Sequence, residues 1–100
     1  MLKYDINSLC MIEDLKQRSF LSLINDSAEM EKFATIRLLF WAGLLHAHER
    51  LSMTEAGKKL ADMLAEGKSL ISIVKMINDA ILACGLITMP DGEAANPPTV

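Results

Sequence analysis

An apolar run near the middle of the chain, Leu38–Leu45, reads LLFWAGLL. It continues an apolar stripe at helical spacing, made of Met30, Phe33, Ile36, Phe40 and Leu44. Asp26, with Glu29 three residues later, has the spacing of a helix-capping box. The sequence therefore predicts one long helix from about Asp26 to about His48. A helix that is apolar on all sides is buried on all sides, so it is either the centre of the domain or a docking surface for a partner.

The first quarter of the chain is also predicted to be helical. Asn7 or Ser8 can cap a helix that fades near Arg18, because its apolar residues recur at helical spacing. The short apolar stretch 20–24 adds one or two further turns.

Two more helices follow the central one. Ser52 and Glu55 form a second capping box, and Gly67 ends the helix that it opens. Ser69 then caps the last helix. Its predicted inner face consists of Leu70, Ile73, Val74, Ile77, Ile81 and Cys84. The predicted fold is an all-α, small single-domain bundle of four or five helices over residues 1–87, followed by a flexible Pro- and Gly-containing tail over residues 88–100.

Composition excludes several classes of protein. Hydrophobic residues make up 51% of the chain and aromatic residues only 5%, which favours helices over sheets. A chain this apolar, with a net charge of −3, buries enough surface to fold. An isoelectric point of about 5.3 and scattered Lys and Arg residues give no electrostatic footprint for a nucleic acid.

The same reasoning applies to membranes. The longest apolar runs have eight residues, whereas a bilayer span needs about 20, so we predict no membrane partner. The N-terminus lacks the basic-then-apolar order of a signal peptide, which favours the cytoplasm.

Residue clusters that carry chemistry are few. His46 and His48 lie two apart on the predicted helix and point about 200° from each other, so they cannot share a metal ion. Cys10 has Glu13 nearby, rather than the cationic group that activates a thiol. Cys10 and Cys84 fit apolar helical patterns and are predicted to be reduced core residues, with a disulfide between them as the alternative. We predict no enzyme, no catalytic residue, no cofactor and no metal.

The segment 54–75 has the order helix, glycine-containing turn, helix, as in a helix-turn-helix. A recognition helix presents hydrogen-bond donors to base edges in its first turns. Here those turns are Ser69–Val74, which read SLISIV and suit a core. This argues against DNA binding.

Three motifs resemble those of a known family. They are IRLLFWAGL at Ile36–Leu44, LSMTEAG at Leu51–Gly57, and YDINSLC at Tyr4–Cys10, with Glu13 following. In their order along the chain, which begins with the motif at Tyr4–Cys10, and in their spacing, they resemble the tail assembly chaperones of long-tailed bacteriophages, prophages and gene transfer agents. The position of Ser52 departs from the family pattern, because it shifts the capping box.

The resemblance implies a non-enzymatic, helical protein of the bacterial host cytoplasm. Such chaperones bind the long, apolar, helical tape measure protein, keep it soluble while the tail tube assembles, and are absent from the mature virion. Many are also made in a longer, frameshifted form, which is a further expected partner.

Helix-in-groove docking is the binding mode that such a client favours. Our hypothesis is that part of one apolar set faces the client or another subunit of a homo-oligomer, the set being Leu38, Phe40, Trp41, Leu44, Leu45, Met53 and Met63. The competing interpretation buries all of them within one chain. Two other functions stay open: a small helical protein-binding adaptor and a helix-turn-helix-like regulator.

Overall fold

The computed structural model describes residues 2–86, and these form six helices and no strand. The helices are α1 (Ile6–Lys16), α2 (Phe20–Ile24), α3 (Ser27–Met30), α4 (Phe33–Leu44), α5 (Met53–Ala65) and α6 (Leu70–Ala83). The all-α prediction is confirmed. Two of the six, α2 and α3, are short. The tail predicted for residues 88–100 lies outside the described residues.

Helix α4 is the centre of the bundle. It packs against α1, α3, α5 and α6, while α2 lies between α1 and α3. Leu39 and Ala42 of α4 are completely buried, and Ile36 is 1% exposed. The apolar run of the sequence is therefore the inside of the domain, because neighbouring helices cover it on most sides.

Side-chain caps mark the helix starts. Ser52 and Glu55 form the predicted capping box of α5: the Glu55 backbone N–H donates to the Ser52 hydroxyl at 3.1 Å, and the Ser52 N–H donates to the Glu55 carboxylate at 2.9 Å. Ser69 caps α6 as predicted. Helix α1 starts earlier than predicted, because Asp5, and not Asn7 or Ser8, accepts its N-terminal amide hydrogen bond.

The predicted long helix is wrong, because the chain breaks between α3 and α4. Lys32 has an extended backbone (φ −79°, ψ 132°), so the helix restarts at Phe33. It then ends at Leu44, short of the predicted His48.

A buried carboxylate joins the two sides of the break. Glu29 Oε2 accepts hydrogen bonds from Lys16 Nζ at 2.6 Å and from the Thr35 hydroxyl at 2.8 Å. In one continuous helix, residues 29 and 35 would lie about 120° apart around the axis and about 9 Å apart along it. One carboxylate could not reach a hydroxyl placed there, so the contact requires the interruption.

The N-terminal segment closes the other end of the core. Tyr4 is 5% exposed, and its hydroxyl donates to the Leu39 carbonyl oxygen. The Lys3 N–H donates to the Gly43 carbonyl oxygen at 2.9 Å. This short extended stretch is thereby fixed along α4.

Candidate partner-binding surface

Three of the residues predicted to face a partner lie in the core. Leu38, Phe40 and Leu44 are 5%, 3% and 9% exposed. They belong to α4, which four other helices cover. These side chains offer a partner almost no accessible area, and this favours the interpretation that buries them within one chain.

The other four are half-buried. Trp41, Met53 and Met63 pack against the edge of the core, and Leu45 lies just after the end of α4. The Trp41 indole N–H donates to the Leu51 carbonyl oxygen at 2.7 Å, which fixes the loop between α4 and α5. Their role in binding a partner stays a prediction.

More exposed apolar side chains lie elsewhere, at the start of α4, the end of α5 and the start of α6. Phe33 is 70% exposed, Ile71 82% and Leu64 39%. We call this the end surface, and it comprises Phe33, Leu64 and Ile71 with the half-buried Met30, Leu70 and Val74. Exposed apolar side chains grouped in this way are typical of a binding site for another macromolecule.

Residues of the end surface line two grooves, each with a volume of about 350 Å³. The first runs between α4 and α5 and is lined by Phe33, Ala34, Arg37, Gly57, Leu60, Ala61 and Leu64. The second runs between α3 and α6 and is lined by Ser27, Met30, Glu31, Ile36, Leu70, Ile71 and Val74. Each groove thus has apolar walls and a single charged residue.

Phe33 lines the first groove, and helical geometry places it between the two grooves on α4, so we call it the ridge. At about 100° per helical residue, Ile36 of the second groove lies about 60° to one side of Phe33 around α4. Arg37 of the first groove lies about 40° to the other side. The ridge therefore has Arg37 on one flank, and Glu31 in the groove on the other.

The carboxylate of Glu29 lies close to this ridge in the chain, where α1, α3 and α4 meet. Lys16, Thr35 and Lys32 donate to it, and these hydrogen bonds lower the pKa of Glu29 to about 2. It therefore stays ionised at neutral pH and holds the end of α3 against α1 and α4.

Sequence reasoning missed both Phe33 and Ile71 of the end surface, and only Ile71 had a signal that could have found it. Phe33 has the helical spacing of Phe40 and Leu44 within α4, and these are 3% and 9% exposed, so its periodicity predicts burial. Ile71 had a usable signal: it lies about 200° from Ile73 around α6, and Ile73 is 1% exposed. Of the inner face predicted for α6, Ile73, Ile77 and Ile81 are confirmed as buried.

The histidines line a separate polar cleft of about 570 Å³ between the end of α4 and the start of α5. His46 Nδ1 lies 2.9 Å from the Gly43 carbonyl oxygen, and Glu55 is engaged in the capping box. Within residues 2–86, no group of three or more His, Cys, Asp or Glu side chains is arranged to hold a metal ion.

The cysteines differ in their surroundings. Cys84 is half-buried at the end of α6, and Cys10 is exposed on α1; both thiols are free. The prediction that both lie in the core is wrong for Cys10, because Leu9 and Ile12 form the buried face of α1.

Compared with protein-family models, curated proteins and solved structures, the chain matches none. Among the helices described, none has the length and apolar character that crossing a membrane requires.

Proposed function

We propose that this protein is a non-catalytic tail assembly chaperone of a phage or prophage, which binds the tape measure protein and keeps it soluble while the tail tube assembles. It acts in the cytoplasm of the bacterial host. The proposal joins the sequence resemblance to one structural observation, the exposed apolar end surface.

The end surface suits a helical client. An amphipathic helix binds a groove through apolar side chains that recur every three or four residues. Each groove is open to solvent and has apolar walls, and helical geometry places Phe33 between them. Full burial of an exposed side chain such as Phe33 or Ile71 contributes about 1.5–3 kcal/mol. A few such contacts support reversible binding, which a chaperone that must release its client requires.

The start of α6 supports a protein partner rather than DNA. Its first turn carries Ser69, Leu70, Ile71 and Ser72, and the most exposed of the large apolar side chains in residues 2–86 is Ile71. This turn lacks the Arg, Lys, Asn or Gln side chains that read base edges. The apolar ridge beside it favours another protein.

Co-expression tests the proposal. The chain is produced together with a tape measure protein from the same phage or prophage, and the soluble fraction of the tape measure protein is measured with and without it. We expect the wild-type chain to increase that fraction several-fold. Phe33→Ser and Ile71→Ser remove apolar area from the end surface, so either should abolish most of the increase.

Leu82→Ser is the matched control. Leu82 is a 50% exposed apolar residue on the same helix as Ile71, about 16 Å further along its axis. This variant should retain the wild-type effect. An unchanged soluble fraction with the wild-type chain would contradict the proposal and favour an adaptor that serves another protein. Equal loss with all three variants would show that the solubilising activity does not depend specifically on the end surface.

A further inference from the structure

We infer that the end surface also binds a second copy of this chain, in a symmetric pair with Phe33 of both copies beside the two-fold axis. The inference concerns the isolated protein and does not depend on the client.

The charges flanking Phe33 carry the inference. Glu31 lies in the groove on one side of the ridge and Arg37 in the groove on the other, and each is the single charged residue of its groove. Both are exposed. Within residues 2–86 neither forms an intramolecular salt bridge, whereas Glu29 and Lys32 nearby are paired with each other.

Two-fold symmetry makes this arrangement self-complementary. Consider a two-fold axis that lies in the plane of the interface and runs along the Phe33 ridge. Rotation about this axis brings one side of the ridge in the first copy opposite the other side of the ridge in the second copy. The groove with Glu31 then faces the partner copy's groove with Arg37, and the same pair repeats on the other side of the axis. One surface thus provides two opposite-charge pairs around an apolar centre, which is the usual distribution in interfaces.

The local packing permits close approach. Ala34 is exposed beside Phe33 and has only a methyl group, so it adds no bulk next to the two Phe33 side chains at the axis. The aliphatic part of Arg37 lies over Gly57 of α5, where a Cβ would be 3.2 Å from the Arg37 Cδ. This contact supports the side chain along the groove and leaves its charged end for a partner carboxylate.

Pairing would also cover the two large apolar side chains that have the highest exposed fractions in residues 2–86. Phe33 and Ile71 are 70% and 82% exposed in a single copy, and exposed patches of this kind promote non-specific association. If the proposed function holds, the second copy protects the client-binding surface until the client replaces it.

Charge reversal tests the pair. Wild-type protein, Glu31→Arg and Arg37→Glu are compared by sedimentation equilibrium over a range of concentrations. We expect the wild type to dimerise and each single variant to dissociate with a Kd at least about tenfold higher, because like charges then face each other twice. Circular dichroism establishes that the variants keep their helix content.

Mixing the two variants is the decisive measurement. One variant has two positive charges at these positions and the other two negative charges, so an equimolar mixture restores both opposite-charge pairs. We expect the mixture to dimerise as tightly as the wild type. A monomeric wild type, single variants that dimerise normally, or a mixture that stays monomeric would each overturn the inference; the first would leave the surface to the client, and the second would indicate a dimer formed elsewhere.

Discussion

The side chain of Tyr4 lies directly over Gly43, so closely that a Cβ on residue 43 would be 2.9 Å from the Tyr4 Cζ atom. Leu2 Cδ2 would be equally close to it. Gly43 lies inside α4, where glycine costs about 1 kcal/mol relative to alanine. That cost is offset by the N-terminal segment, which packs Tyr4 against α4 and satisfies its hydroxyl group on Leu39.

Gly43→Ala should therefore destabilise the protein in spite of the better helix propensity of alanine. The added methyl group has to displace Leu2 and Tyr4, and such overpacking costs about 1–3 kcal/mol. Urea denaturation followed by circular dichroism measures the change in the free energy of unfolding.

Gly57→Ala is the control for this change. Gly57 is also inside a helix, but the atom nearest to its added Cβ is Cδ of Arg37, at 3.2 Å on a flexible side chain. We expect its stability to stay unchanged or rise by up to about 1 kcal/mol. A Gly43→Ala variant as stable as Gly57→Ala would show that the N-terminal segment is not packed on α4.

Glu29 should make stability depend on pH in the acidic range. Its pKa is about 2 in the folded protein, because Lys16, Thr35 and Lys32 donate to the carboxylate, against an ordinary value of 4.5. A folded pKa below the unfolded one stabilises the protein above pH 4.5, and this contribution is lost as the pH falls from 4.5 toward 2.

Glu29→Gln isolates this contribution. The variant should unfold at lower urea concentration than the wild type at pH 7, and the difference should shrink steadily below pH 4.5. Other carboxylates whose pKa is lowered, such as Asp26 and Glu55, are common to both proteins, so they cancel in the comparison. A difference of equal size at pH 7 and pH 2.5 would contradict an ionised, hydrogen-bonded Glu29.

Trp41→Phe should loosen the loop between α4 and α5. It keeps most of the apolar contact but removes the N–H that donates to the Leu51 carbonyl oxygen. A neutral hydrogen bond contributes about 0.5–1.5 kcal/mol, and we expect a loss in this range in urea denaturation. Hydrogen exchange at residues 45–52 should accelerate more than exchange in α6. Equal acceleration in both would point to general destabilisation instead.

Local signals in the sequence predicted those parts of the fold that depend on local physics. The capping box of Ser52 and Glu55 is formed between residues three apart, so its geometry follows from the sequence alone. The buried face of α6, with Ile73 and Ile77, follows from periodicity in an uninterrupted helix.

The break before α4 could not be predicted in this way, because it is accompanied by a contact between residues that are distant in the sequence. Lys16 lies 13 residues before Glu29, and nothing in the local pattern around Asp26 indicates that they meet. That contact lies across the break between α3 and α4. The exposure of Phe33 is a separate case, because Phe33 shares the helical spacing of the buried Phe40 and Leu44 and the local pattern does not indicate it. Cys10 shows the simpler case: Leu9 and Ile12 alone bury one side of α1, and the apolar pattern does not say how wide that side is.

Glu31→Arg should separate self-association from client binding. The variant places like charges opposite each other in the symmetric pair, yet it leaves Phe33, Leu64 and Ile71 in place. If client and second copy use the same apolar area, a chain that no longer pairs has more of that area available. We therefore expect Glu31→Arg to dimerise weakly and to keep the tape measure protein soluble at least as well as the wild type does.

Phe33→Ser should lose both properties, because the ridge belongs to both contacts. Sedimentation equilibrium and the soluble fraction on co-expression measure the two properties independently. Loss of client solubility with Glu31→Arg, at unchanged helix content, would show that the client requires the paired form.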